Sequence, residues 1–137
     1  MELDCNCVRD IMLHLESIPY VKTNSRGHIE FVGVSLSKIC EKLPPYPQEQ
    51  VYYTLSKLEE GGYIDMTSNW AGDGLYFCCV NFITYDGHEF LEKIRPPTVW
   101  DRTKDVAGKV GSYGLKVIAK IAEGVTEAII KEQLSLN

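Results

Sequence analysis

Five cysteines, three histidines and the adjacent pair His88-Glu89 are the residues of this 137-residue chain best suited to chemistry. Cysteine and histidine hold structural zinc, and histidine is the usual general base. Their spacing assembles neither site. Cys5 and Cys7 on a helix would point about 200° apart, and Cys78 and Cys79 on a strand would point to opposite faces. Neither pair matches the spacing of zinc-knuckle cysteines. Buried or half-buried thiols are expected instead, with no metal and no cofactor. No nucleophile motif or phosphate loop stands near His88 and Glu89. His88 is expected to pack at the base of a hairpin, hydrogen-bonded there. The chain is read as a non-enzyme.

A second set of residues could bind rather than react. Gln48, Gln50, Tyr53, Thr54 and Lys57 are expected on the exposed face of one helix. Glutamine can pair with adenine and threonine can touch bases or phosphates. Arg26, Lys38 and Lys42 would join them as phosphate contacts. Against this stand Glu49, Glu59 and Glu60, which leave Lys57 as the only cation of that helix. The plainer reading is a structural helix with an ordinary polar face. The chain carries a net charge of −5, and non-specific DNA affinity comes largely from Lys and Arg. Residues 1–95 hold 8 basic and 14 acidic side chains, and residues 96–137 hold 6 and 5.

Periodicity supplies the elements that must position these groups. Val8, Ile11, Leu15 and Ile18 make an apolar stripe from about Asp4, a plausible N-cap, to Ser17. Residues 20–27 read as a polar loop, and His28 to Val34 as a short strand with Ile29 and Phe31 on one side. Ser35 caps a second helix, ended by Pro44-Pro45. A third begins near Pro47, buries Val51, Leu55 and Leu58, and stops at Gly61-Gly62. Tyr63 to Thr67 and Leu75 to Phe82 form a hairpin whose loop, Ser68 to Gly74, has no Lys or Arg. Trp70 falls in that loop and is expected to fold back on the hairpin. Thr84 caps a fourth helix to about Ile94. Val99 to Val110 is weakly helical, and the last helix spans about Leu115 to Leu134.

Helix, glycine stop, strand, turn, strand, helix is the order of a winged helix-turn-helix. Three segments also resemble a family of uncharacterised bacterial prophage proteins, domain of unknown function 2513. They are Leu3-Asp4 with Val8-Arg9-Asp10-Ile11-Met12-Leu13; Val51-Tyr52-Tyr53-Thr54-Leu55-Ser56-Lys57-Leu58 leading to Gly62-Tyr63-Ile64; and Ile83-Thr84-Tyr85-Asp86-Gly87-His88-Glu89-Phe90-Leu91 with Ile94-Arg95 and Thr98-Val99-Trp100. The third is the most specific. The resemblance implies a winged-helix-like fold and a mobile-element origin, and it carries over no catalytic residue.

The expected architecture is therefore α+β: a winged helix-turn-helix domain over 1–95 and a helical extension over 96–137. The leading functional expectation is a non-enzymatic, mobile-element protein, regulatory or associated with double-stranded DNA. The alternative is an acidic protein-interaction module that binds a host or phage protein, for example one occupying the nucleic-acid groove of a host defence protein. In the last helix Leu115, Ile118, Ala122, Val125 and Ile129 repeat as 3, 4, 3, 4, which suggests a homodimer interface. The plainer reading buries that stripe within the subunit. No apolar run is long enough to span a bilayer and no basic-then-apolar leader is present, so a cytoplasmic protein is expected.

Overall fold

Three polar side chains start three of the helices. Asp4 Oδ1 accepts from the backbone N–H of Asn6 and Cys7 and opens α1, Cys5–Glu16. Ser35 accepts from Lys38 N and opens α2, Leu36–Lys42. Thr84 accepts from Gly87 N and opens α4, Tyr85–Ile94. Proline precedes α3, Gln48–Glu60, and opens α5, Pro97–Val110, where its missing N–H costs nothing. The last helix, α6, runs Leu115–Ser135. This computed structural model describes residues 1–136.

Five strands complete the chain: β1 Val21–Thr23, β2 Ile29–Phe31, β3 Val34–Ser35, β4 Ile64–Ala71 and β5 Gly74–Ile83. β1 and β2 form a two-stranded antiparallel sheet, and the other three form an antiparallel sheet in the order β3-β5-β4. Among the described residues the chain is thus α+β, with six helices and two small sheets.

Two loops expected from the sequence are shorter than expected. Residues 20–27 hold strand β1, because Asn24 Oδ1 accepts from Arg26 N and His28 N and folds the turn tightly at Gly27, φ +79°. The expected strand from His28 to Val34 divides into β2 and β3, and Ile29 and Phe31 are both exposed. The hairpin loop contracts from Ser68–Gly74 to Gly72 and Asp73, since Asn69, Trp70 and Ala71 pair with Phe77, Leu75 and Gly74. Gly74 supplies φ +134°, which a side chain rarely adopts.

The core joins the six helices and the three-stranded sheet, and leaves the β1–β2 hairpin outside. Val51, Leu55, Leu58, Ile64 and Leu91 are buried in one cluster with Val8, Ile11 and Leu15, as their periodicity requires. Val99, Trp100, Ile118 and Ala122 belong to the same cluster. Arg9 on α1 donates to the carbonyls of Ile94 and Arg95 at 3.0 and 2.5 Å, covering the end of α4. Trp100 Nε1 donates to Asn6 Oδ1 at 3.3 Å. The stripe on α6 faces its own chain: Ile118 and Ala122 are buried, and Leu115, Val125 and Ile129 are half-buried against the core. Within the subunit α5 and α4 pack against this helix, and Leu115, Val125 and Ile129 keep part of their surface in solvent. No helix among the described residues is long and apolar enough to cross a membrane.

The junction of α3 and α4 accounts for the most specific sequence segment. Gly62 turns the chain at φ +81°. Thr84 N donates to Tyr63 O at 3.1 Å and Thr84 Oγ1 to Gly62 O at 2.5 Å. A Cβ on Gly87 would lie 2.0 Å from Tyr63 O, so only glycine lets α4 approach this closely. Phe90 stacks on Tyr63 with ring centroids 4.8 Å apart. His88 is not packed as expected. Its helical position carries it outward from the face that holds Gly87, Phe90 and Leu91, and it is exposed.

Candidate interaction surface

α3 divides its residues differently from the expectation. Thr54 is fully buried, not outward-facing. It sits at the same spacing as Val51, Leu55 and Leu58, and its hydroxyl is satisfied by donation to Gln50 O at 2.8 Å, with Cys7 Sγ at 3.6 Å. Gln50 is half-buried and turns toward α1, donating from Nε2 to Asp4 Oδ2 at 3.3 Å. Gln48, Tyr53 and Lys57 remain toward solvent, the last two only partly. Lys57 Nζ lies 2.8 Å from Glu60 Oε2 and 5.5 Å from the centre of the Tyr53 ring. The hydrogen bond with Glu60 raises the ammonium pKa and keeps it charged, but the pair has little net charge to offer a phosphate. Arg26 lies in the β1–β2 turn, and Lys38 and Lys42 lie on α2. All three are exposed and in no ion pair among the described residues.

The outer side of α3 instead walls a groove. A cavity of about 440 Å³ lies between it and the start of β5, lined by Leu36, Gln48, Tyr52, Tyr53, Ser56 and Leu75 among others. A second, of about 260 Å³, continues along β5 past Tyr76 and Phe77 and shares Leu36, Gln48 and Leu75. Of the side chains lining the two, Glu49 alone is charged. Trp70 does not fold back on its hairpin. It stands on β4, 61% exposed, and meets the ring of Tyr52 edge-on at 5.8 Å. Tyr76 and Phe77 are 70% and 45% exposed. Large rings held partly in water beside an apolar groove are what binding surfaces present.

The sequence reading passed over Leu36, Leu75, Tyr76 and Phe77. The signal was there: Leu75-Tyr76-Phe77 breaks the alternation of a one-sided strand. A strand apolar on successive residues has both faces seeking cover, and here Tyr76 and Phe77 are left exposed.

The thiols form no reactive centre. All five cysteines are free, and burial raises the pKa of each above the ordinary 9.0, which keeps them protonated. Cys78 Sγ points to Met66 Sδ at 3.7 Å, a packing contact. Among the described residues no group of three or more His, Cys, Asp or Glu side chains could hold a metal ion.

Residues 2–113 match the model of a protein family described as "Hypothetical protein (DUF2513)". The match takes in α1 to α5 and stops before α6. The chain is also similar to an uncharacterised protein of Haemophilus influenzae, 25% identical over 135 residues, which are 98% of this chain and all of the other. No solved structure matches. The chain belongs to the DUF2513 family.

Proposed function

We propose that this DUF2513 protein is a non-catalytic winged-helix protein that binds another protein through the face formed by α3 and β5. Several features support the winged-helix reading. α2 and α3 lie in tandem after α1, a two-stranded hairpin follows α3, and the short β3 pairs with the far strand of that hairpin. In such a fold α3 would be the helix offered to DNA.

One observation carries the choice of partner. The outer side of α3 borders an aromatic and aliphatic groove in which Glu49 is the sole charged side chain. Duplex DNA is held by cations at phosphates. Here Thr54 is buried, Lys57 is paired with Glu60, and the hairpin tip from Trp70 to Gly74 has no Lys or Arg. Protein interfaces, by contrast, are built around aromatic anchors with few charges at the centre. In a mobile element, the origin that the family resemblance implies, such a module would regulate by occupying a host or phage protein.

The DNA reading keeps one specific support, the exposed and unpaired Arg26, Lys38 and Lys42. Two measurements separate the readings. A photo-crosslinking residue replacing Tyr53 should capture a protein in the source bacterium, while the same residue at Lys120 should not. A titration with mixed-sequence duplex DNA at low salt should show no binding. Binding that weakens steeply with salt and is abolished by Lys38→Glu with Lys42→Glu would replace the protein reading with the DNA one.

A further inference from the structure

The two sides of β5 are unequally used. β4 pairs with it from Ile83 down to Gly74. On its other side β3 contributes two pairs, Val34 with Val80 and Ser35 with Cys79, before the chain leaves the sheet at Leu36 to form α2. From Leu75 to Cys78 the β3 side of β5 therefore has no ladder partner among the described residues. Successive residues of a strand direct their N–H and C=O groups alternately to either side, so this stretch presents backbone donors and acceptors that the chain does not use. Natural edges are usually blunted by Lys, Pro or a covering element. This one carries Leu75-Tyr76-Phe77, and the space beside it is the cavity between β5 and the start of α2.

We propose that an extended segment of another protein adds to β5 at Leu75–Cys78 as an antiparallel strand, in line with β3 and taking the place the chain vacates at Leu36. The proposal rests on the protein-binding reading and specifies its mode. Main-chain hydrogen bonds to β5 would hold the segment, and side-chain pockets would select it. One row of its alternating side chains enters the groove shared by Leu36, Gln48 and Leu75, which suits aliphatic residues. Charge complementarity sets the rest. Glu49 is the charged side chain of the groove wall among the described residues, so the segment bears Lys or Arg where it passes α3. The occupant is thus a basic strand with aliphatic residues at every second position.

The test uses a phage-displayed library of random peptides panned against the full chain. Enriched peptides should alternate aliphatic residues and carry net positive charge. By NMR they should shift the backbone amides of Leu75 to Cys78. N-methylation of the peptide at alternate positions should weaken binding at least about tenfold, while methylation at the intervening positions should be tolerated, since only one set faces the ladder. Glu49→Lys should reverse the charge preference of the selected peptides. The proposal is overturned by an absence of enrichment, by peptides indifferent to N-methylation, or by shifts confined to another surface. It is also overturned if the Leu75–Cys78 amides become protected from exchange with rising concentration of the protein alone, which would make a second copy the occupant. Capture of a protein at position 53 without ladder-sensitive peptides sinks strand addition alone, whereas failure of both experiments sinks the protein-binding reading with it.

Discussion

The junction between α3 and α4 and the distal half of the β4–β5 hairpin are built from the same kinds of residue to opposite ends. At the junction, Gly62, Tyr63, Thr84, Gly87 and Phe90 satisfy one another through three hydrogen bonds, a close backbone approach and a stacked ring pair. In the distal hairpin, Trp70, Tyr76 and Phe77 stand in water and β5 is paired on one side alone from Leu75 to Cys78. The first region closes on itself and the second leaves its bonding capacity open. The most specific sequence segment of the chain is therefore architectural, and the surface proposed for recognition lies in less distinctive sequence.

The largest test of this contrast is Gly87→Ala. A methyl group 2.0 Å from the Tyr63 carbonyl and 2.7 Å from Ile83 Cγ2 must displace backbone. The loss should be about 3 kcal/mol, the upper end for overpacking, read from chemical denaturation. A loss under about 1 kcal/mol would mean that α4 does not need its close approach. Thr84→Ala removes a helix cap and the bond to Gly62 O, and should cost about 1–2 kcal/mol. Tyr76→Ser, in the open half, should change stability by no more than about 0.5 kcal/mol and yet abolish partner capture at position 53. A variant that is both unstable and still able to bind would invert the assignment of the two regions.

The smallest effect concerns thiols. Cys78 lies on β5 at the inner end of the open edge, and Cys7 lies beneath α3 with no exposure. Both thiols are pushed above 9.0 by burial, so alkylation of the native protein should be slow near neutrality and quicken as pH rises toward those values. Cys78 should react before Cys7, because the hairpin opens locally more readily than the core. Equal rates would show the two halves to be equally well held.

Where local chemistry decides the structure, the sequence was readable. Asp4, Ser35 and Thr84 cap the helices that their types announce, and Gly62 turns where a left-handed residue is needed. Where tertiary context decides, reading by residue type went astray. Thr54 is polar, yet the spacing Val51, Thr54, Leu55, Leu58 puts it on the buried stripe. Val21-Lys22-Thr23 gave no alternating signal because β1 is exposed along its whole length. The α6 stripe was visible, but a stripe does not say which surface covers it, and Ile118 and Ala122 meet their own chain. Gln50 faces Asp4 for a similar reason: its partner lies 46 positions away. The groove escaped notice because it joins α2, α3 and β5, which no window of sequence contains.

The guanidinium of Arg9 has a consequence for how the chain comes into being. Its carbonyl partners at the end of α4 lie 85 and 86 positions later and are made after it. Asn6 waits still longer, 94 positions, for the indole of Trp100. The helix that carries both therefore emerges from the ribosome with its charge and amide still solvated. Closing so long a loop costs entropy that is offset only when α4 and α5 arrive. The packing of α1 on α2 and α3 needs only earlier residues, whereas the bonds of Arg9 and Asn6 form once α4 and α5 are made, so truncation of the chain before Trp100 should leave α1 more open to proteases than in the completed protein.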